Sequence, residues 1–408
     1  MDLSSILSRV VRIIINKNAI FMILRSILVT FVILIELSAC ARVKSVDSAV
    51  NEEAEETVYI DPLRVRAAEI AGLMDDRLLT SQLLISGIDG NTSLPVKMTE
   101  LFSEIPTGGI MLFRYNLNTN ADTIRAFLNE ISSLINDKAG ILPFMAVDHE
   151  GGTVNRLPRG IAELPPAITY WELFEKEGKG AALKKVEEDC TNAGRELKAL
   201  GINMNFAPVA ECLIDENRSF LARRSYGPDS SFTADAVTAF IRGMNVSNIL
   251  CVVKHFPGSA GTDPHYAKSV LNMDKPSLNA LVFPFSEAVR YGAKAIMAAH
   301  TSVPVIDSEI ASLSPLVMNN WLRGELKFKG LIISDDFIMA AAGNQKPEDA
   351  AVLSVIAGSD MILVWPAHLK ITHDAFLKAL EDGRLSRERL MNAVERIIYM
   401  KLEMGLMK

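Results

Sequence analysis

Ile249-Leu250-Cys251-Val252-Val253-Lys254-His255-Phe256-Pro257-Gly258-Ser259-Ala260-Gly261-Thr262-Asp263-Pro264-His265 joins two kinds of sequence without a break. The first five residues are apolar and largely β-branched, at a length that suits a buried strand. From Lys254 onward a cation, two imidazoles and a carboxylate are interspersed with glycine and proline. Charged chemistry therefore begins where the strand should end, which is the habit of parallel α/β barrels. Asp263 and His265 flank Pro264, which stiffens the turn. A carboxylate so placed can orient one imidazole nitrogen and leave the other for proton transfer.

Outward from this stretch, a strand–helix alternation runs along the chain. Candidate strands are 82–87, 109–113, 142–147, 202–207, 249–253, 293–298, 331–334 and 361–365. Helical spacing with start signals lies between them: Asn120 and Asp122 lead into 123–135, Ser231 and Thr233 into 234–244, and Ser314-Pro315 into 316–326. Gly201 and Gly292 close helices just before the next strand. Eight β-α repeats predict an α/β fold, a (β/α)8 TIM-type barrel as a single catalytic domain over 61–408. The competing reading, a doubly wound open sheet, lacks its phosphate loop: neither GxGxxG nor GxxxxGK[ST] occurs. After the eighth strand come a short helical segment and 386–406, where Leu390, Val394, Ile397, Ile398 and Leu402 recur at helical spacing and should cover a barrel face.

Polar residues gather at one end of this map. Asp148, His149 and Glu150 follow the third strand, Glu211 the fourth, Lys254 and His255 the fifth, His300 the sixth, and Asp335 and Asp336 the seventh. In a barrel these positions converge on one mouth. His149 reads as a hydrogen-bonding loop residue, and His300 either as a substrate contact or as a support for the strand that ends at Asp335. His368 and His373 are expected in a solvated loop. A metal at His255, Asp263 and His265 is the sharper alternative. No further HxH or HxxxH pair accompanies them, and the Lys254 charge opposes a cation; no metal or cofactor is therefore expected.

The formal net charge is −7, and residues 40–408 carry 38 basic against 47 acidic side chains. No basic stripe with interleaved aromatics points to nucleic acid. Arg25 precedes an apolar run from Ile27 to Ile35, followed by Leu37-Ser38-Ala39-Cys40, which resembles a bacterial lipoprotein cleavage site. The expectation is a signal peptide or membrane anchor over 1–40, lipidation at Cys40, an acidic tether over 41–60, and a monomer at the cell envelope. Cys190, Cys212 and Cys251 are odd in number and show no CxxC spacing, so no disulfide framework is expected.

Ser334-Asp335-Asp336 ends the apolar run Gly330-Leu331-Ile332-Ile333. One carboxylate should project into the mouth while its neighbour points away. A carboxylate facing a proton donor across a pocket is the arrangement of retaining glycosidases, where one group attacks the sugar carbon and the other protonates the departing oxygen.

These residues carry a family resemblance. Gly108-Gly109-Ile110-Met111-Leu112-Phe113, Val147-Asp148-His149-Glu150-Gly151-Gly152, Asn205-Phe206-Ala207-Pro208-Val209, Arg224-Ser225-Tyr226, Lys254-His255-Phe256-Pro257-Gly258, Ala299-His300, Ala311-Ser312-Leu313-Ser314-Pro315 and Ile333-Ser334-Asp335-Asp336 stand in the order of glycoside hydrolase family 3. The chain resembles that family's single-barrel bacterial β-N-acetylglucosaminidases. The resemblance implies a retaining exo-β-N-acetylhexosaminidase that releases terminal β-linked N-acetylglucosamine by double displacement. Asp335 would be the nucleophile and His265, oriented by Asp263, the acid/base. Asp148, Arg156, Arg224, Lys254 and His255 would hold the sugar hydroxyls and the N-acetyl group. Such a set suits a polyhydroxylated ring, which it meets with charge-assisted hydrogen bonds. The alternatives are a catalytically weak sugar-binding lipoprotein and a β-glucosidase or phosphorylase of the same family. Four departures from the family pattern bear on fit and rate. Ser259-Ala260 replaces a histidine-containing pair, and the span from there to Asp263 is two residues shorter. Thr153 stands for a common Arg, and Glu211 for an Asp.

Overall fold

Among the described residues the strands are β1 (Leu84–Gly87), β2 (Gly109–Leu112), β3 (Phe144–Val147), β4 (Met204–Asn205), β5 (Leu250–Phe256), β6 (Ser269–Val270), β7 (Ala295–Ala298), β8 (Thr301–Val303), β9 (Asp307–Ile310), β10 (Leu331–Ser334) and β11 (Met361–Val364). Eight of them close on one another in parallel, in the order β1-β11-β10-β7-β5-β4-β3-β2. This is a computed structural model, and it describes residues 61–261, 263, 266–339 and 345–407. The expected leader and anchor over 1–40, the lipidation site Cys40, the tether over 41–60 and the proposed acid/base His265 all lie outside the described residues.

All eight expected strands are barrel strands, most of them shorter than their apolar runs. Residues 82 and 83 belong to the end of the helix Asp76–Gln82, not to β1. The fourth strand shrinks from 202–207 to Met204–Asn205, and asparagine side chains on it add bonds to the segment around β3. Asn203 Oδ1 accepts from the Met145 N–H at 2.8 Å, and Asn205 Oδ1 accepts from the His149 N–H at 3.0 Å. The three-stranded sheet β6-β8-β9 is not among the expected strands. Its strands are two to four residues long and largely polar, so no apolar run announces them.

Helices between the strands start and stop where capping chemistry predicts, with one shift. The helix Ala121–Ala139 is capped by Asn120, whose side chain accepts from the Thr123 N–H. For the helix Ser230–Asn245 the cap is Asp229, upstream of the Ser231 and Thr233 expected to lead it. Gly201 and Gly292 end their helices with φ of 98° and 100°, a conformation open to glycine at no steric cost. The segment after the eighth strand is a sixteen-residue helix, Pro366–Glu381, rather than a short one. His373 is buried on its inner face with Nε2 on the Arg77 carbonyl and near Thr80, and His368 is half-buried in the same helix. The solvated loop expected for these two histidines is therefore corrected.

The helix Arg387–Glu403 covers the barrel face opposite the mouth. Lys401 Nζ reaches Gln82 Oε1 just before β1, and Lys294, just before β7, pairs with Glu403. Arg389 and Arg396 surround Asp360, just before β11, together with Arg323. Each of these partners precedes the strand it adjoins, so the helix seals the strands' N-terminal ends. The opposite ends are left for chemistry.

Candidate active site

Residues at the C-terminal end of β5 and beyond the C-terminal ends of β3, β4, β7 and β10 meet in one charged cluster. Asp148 and Glu150 follow β3 two residues apart, on the same face of an extended chain. Both reach Lys254, whose Nζ lies 2.6 Å from Asp148 Oδ1 and 2.7 Å from Glu150 Oε1. Arg224 makes a two-pronged pair with Glu150, Nε to Oε2 and Nη2 to Oε1, both at 2.8 Å. Arg156 stands 3.7 Å from Asp148 Oδ2. Four of the five expected substrate-holding residues, Asp148, Arg156, Arg224 and Lys254, are thus brought together around Glu150.

Burial and charge oppose each other strongly here. Burial pushes the Glu150 carboxyl up, but Arg224 and Lys254 overcome it and hold the group well below the usual carboxylate range. Burial lowers Lys254, and the Asp148 and Glu150 charges more than restore it, so the ammonium stays charged. Arg224 is held charged by Glu150 in the same way.

Lys254 and His255 are adjacent, and in a regular strand they would point to opposite sides. A register shift in β5 resolves this: Val253 pairs with Ile296, while Phe256 pairs with Ala298. The extra residue is a bulge, which bends the strand; the Lys254–His255 peptide within it is cis, and both side chains lie at the mouth. His255 donates from Nδ1 to Glu211 Oε1 at 2.6 Å.

At the end of β10, Asp335 and Asp336 part company as expected. Asp335 is half-buried; desolvation raises its carboxyl, but the His255 and His300 imidazoles, the Asp336 amide and Lys254 outweigh that and hold it below the usual aspartate value. Its Oδ1 accepts from the Asp336 N–H at 2.8 Å, which fixes the carboxylate plane. Asp336 turns aside, accepting from the Ile338 amide and the Trp365 indole, and burial raises its carboxyl. Trp365 in turn stacks on Phe113 at 4.7 Å between ring centres.

Both remaining histidines of the mouth bond to protein. His300 spends both ring nitrogens on protein: Nε2 donates to the Asp336 carbonyl at 3.0 Å, and Nδ1 takes the Ser312 hydroxyl at 2.7 Å. It supports the strand of Asp335. His149 is buried against the Ala162 carbonyl and serves the loop after β3.

Asp335, Asp263, His255, Glu211, Arg224 and His300 share one small cavity, about 20 Å³ in volume. Asp263 faces this cavity, and its carbonyl accepts from the amides of Tyr266 and Ala267. A far larger cavity, about 810 Å³, lies beside the loop after β3 against the helices Ile168–Glu177 and Lys179–Leu200, but it holds none of the converging residues. Chemistry, not size, locates the site. Among the described residues no group of three or more His, Cys, Asp and Glu is arranged to hold a metal. Cys190, Cys212 and Cys251 are free, and burial raises all three thiols, so they are inert as nucleophiles.

Sequence reasoning puts Glu150 at the mouth and gives it no role. The signal is present in Asp148-His149-Glu150, where two carboxylates at a strand end share a face. Asn205, which clamps the loop after β3 through Oδ1 and Nδ2, also escapes that reasoning.

Comparison with known proteins agrees with this architecture. The family model described as the glycosyl hydrolase family 3 N terminal domain matches residues 81–400. A beta-hexosaminidase of Methylococcus capsulatus is 34% identical over 287 residues, covering 68% of this chain and 81% of the relative. A beta-hexosaminidase of Stenotrophomonas maltophilia is 29% identical over 321 residues, covering 77% and 91%. The solved family 3 beta-N-acetylglucosaminidase of Paenibacillus sp. superposes with a TM-score of 0.76 at 30% identity, over 82% of this chain and 63% of that one. With a closed parallel barrel and carboxylates, Arg, Lys and His converging on its C-terminal mouth, the chain belongs to glycosyl hydrolase family 3 and is a glycoside hydrolase.

Proposed function

We propose that the protein is a retaining exo-β-N-acetylhexosaminidase that releases terminal β-linked N-acetylglucosamine from cell-wall or other envelope glycans. The observation that carries this reading is Asp335: a half-buried carboxylate, held ionised, at the end of β10 and in one cavity with Asp263. The names of the relatives, beta-hexosaminidase and beta-N-acetylglucosaminidase, support the sugar class.

In the first step Asp335 attacks the anomeric carbon; the glycosidic C–O bond breaks and the leaving oxygen takes a proton from His265, oriented by Asp263. In the second, His265 takes a proton from water, whose oxygen displaces Asp335 and restores the carboxylate. Asp148, Arg156, Arg224, Lys254 and His255 hold the ring hydroxyls and the acetamido group. Arg224 and Lys254 are already partnered by Glu150, so they meet the sugar as preset donors and need no reorganisation. Lipidation at Cys40, followed by the acidic tether, would hold the monomeric barrel at the envelope.

The test is turnover of 4-nitrophenyl N-acetyl-β-glucosaminide and of the matching β-glucoside, with and without phosphate. The acetamido substrate should be cleaved with retention, and Asp335→Asn should lower kcat on the order of 10⁴-fold. Cleavage of the glucoside alone would replace the reading with a β-glucosidase, dependence on phosphate with a phosphorylase, and inactivity on both with a sugar-binding protein. Loss of fatty-acid labelling in Cys40→Ala checks the anchor.

A further inference from the structure

Glu211 stands three residues beyond Pro208, where the chain leaving β4 runs alongside Lys254 and His255. Ala210 N–H donates to the Lys254 carbonyl at 2.7 Å, and Val209 bridges Lys254. The side chain is completely buried. Its Oε1 accepts from His255 Nδ1 at 2.6 Å and, more weakly, from the His255 amide at 3.4 Å. Its Oε2 is also buried, yet has no hydrogen-bond partner among the described residues. An unpaired buried oxygen of this kind is costly, and native proteins seldom keep one without a use. The residue lines the same cavity as Asp335.

We propose that Glu211 is a specificity-determining residue of the sugar site, with Oε1 positioning His255 and Oε2 accepting a hydrogen bond from the substituent on C2 of the bound sugar. The inference rests on the reading of Asp335 as the group that attacks the anomeric carbon. With Asp335 on the anomeric carbon, the ring positions beside that carbon are the ring oxygen and C2. One neighbour, the ring oxygen, has no hydrogen to give. The other, C2, bears an N–H in a 2-acetamido sugar and an O–H in a plain hexose, which makes it the donor nearest the anomeric carbon and the one we assign to the unpaired acceptor. With Glu211 accepting, the hydrogen of His255 sits on Nδ1, which leaves Nε2 for the mouth.

Glu211→Gln is close to isosteric and discriminates between the two roles. Its amide oxygen can still take the Nδ1 hydrogen, but its NH2 group then stands where Oε2 stood and opposes a second donor. Calorimetric titration of N-acetylglucosamine and of 2-deoxyglucose, which lacks any donor on C2, onto the full-length wild type, Glu211→Gln and Glu211→Asp reads this out. Wild type should prefer N-acetylglucosamine, and Glu211→Gln should reduce that preference roughly 10- to 100-fold, the value of a hydrogen bond to a charged group. Glu211→Asp, which keeps the carboxylate, should recover part of it. Equal losses for both sugars in Glu211→Gln, or an unchanged preference, would overturn the proposal, because a merely structural role moves both together. A wild type that shows the Glu211-dependent preference but turns over no glycoside would sink the catalytic reading and support this one.

Discussion

Lys401 is the largest charged side chain sealed in the barrel's base, and replacing it should change how stability depends on pH. The residue follows Ile397 by four positions on the inner face of the helix Arg387–Glu403 and is fully buried. Its surroundings offer Gln82 Oε1 at 3.0 Å and the Phe144 ring at 5.2 Å, with no carboxylate paired to it among the described residues. Burial therefore lowers its ammonium from 10.5 to about 7. A lysine whose folded value is depressed binds its proton more readily when unfolded, so between about pH 7 and 10.5 the unfolded state is the more protonated one. Stability must then rise with pH across that window. At about 1.4 kcal/mol for each pH step of one, the burial costs about 4 kcal/mol at pH 7, and about 2 kcal/mol of it is relieved by pH 9. Lys401→Met removes this dependence. It also strips Gln82 Oε1 of its donor, at a cost of about 1–3 kcal/mol, so the net gain at pH 7 is smaller than the full relief. The assay is urea unfolding of both proteins at pH 7, 8 and 9, compared as a difference so that the buried thiols common to both cancel. The wild type should gain about 2 kcal/mol relative to Lys401→Met over the window. Parallel pH profiles would refute the reasoning and mean that Lys401 keeps its proton in the fold.

Glu150→Gln should destabilise the protein by about 3–5 kcal/mol, since it leaves Arg224 and Lys254 buried without their shared anion; thermal unfolding at pH 7 measures it. The same variant should flatten the acid side of the stability profile. The folded Glu150 value is depressed, so its contribution is complete above the ordinary glutamate value of 4.5 and is lost as pH falls below it. Gly330→Ala should sharply reduce soluble protein and Tm, because an added Cβ would sit 2.2 Å from the Lys294 backbone oxygen at the start of the strand that carries Asp335. A thiol-labelling reagent should leave Cys190, Cys212 and Cys251 unmodified until the protein is unfolded, and rapid labelling of the native state would contradict their burial.

The barrel was legible because its signals are local. Each barrel strand lies in a short apolar run, several of them ended by glycine or charge, most helices carry their period and many carry a capping residue, and these depend on neighbours a few positions away. The gathering of Asp148, Lys254 and Asp335 at one mouth followed from strand ends alone, since closure brings every C-terminal end to the same rim. Asp335 facing in and Asp336 facing out followed from the pleat.

What the sequence could not decide was the set of contacts made across strands. Nothing local distinguishes Glu150 from Asp148, yet Glu150 is the carboxylate that Arg224 and Lys254 share, from positions 74 and 104 residues away. Lys254 and His255 should diverge by strand period, yet both lie at the mouth, where β5 bulges against β7. His300 could have faced substrate, but Ser312 and the Asp336 carbonyl occupy both its nitrogens. His373 lost its expected solvent exposure to packing against the helix Asp76–Gln82. Glu211 with one oxygen on His255 and the other unpaired is likewise a product of the β4–β5 pairing. Sequence by itself determined the barrel and the end of it where chemistry collects, because propensity and period act over a single element. Tertiary structure decided which charge answers which, because burial leaves each ionised group stable only beside a partner that the chain supplies from another strand.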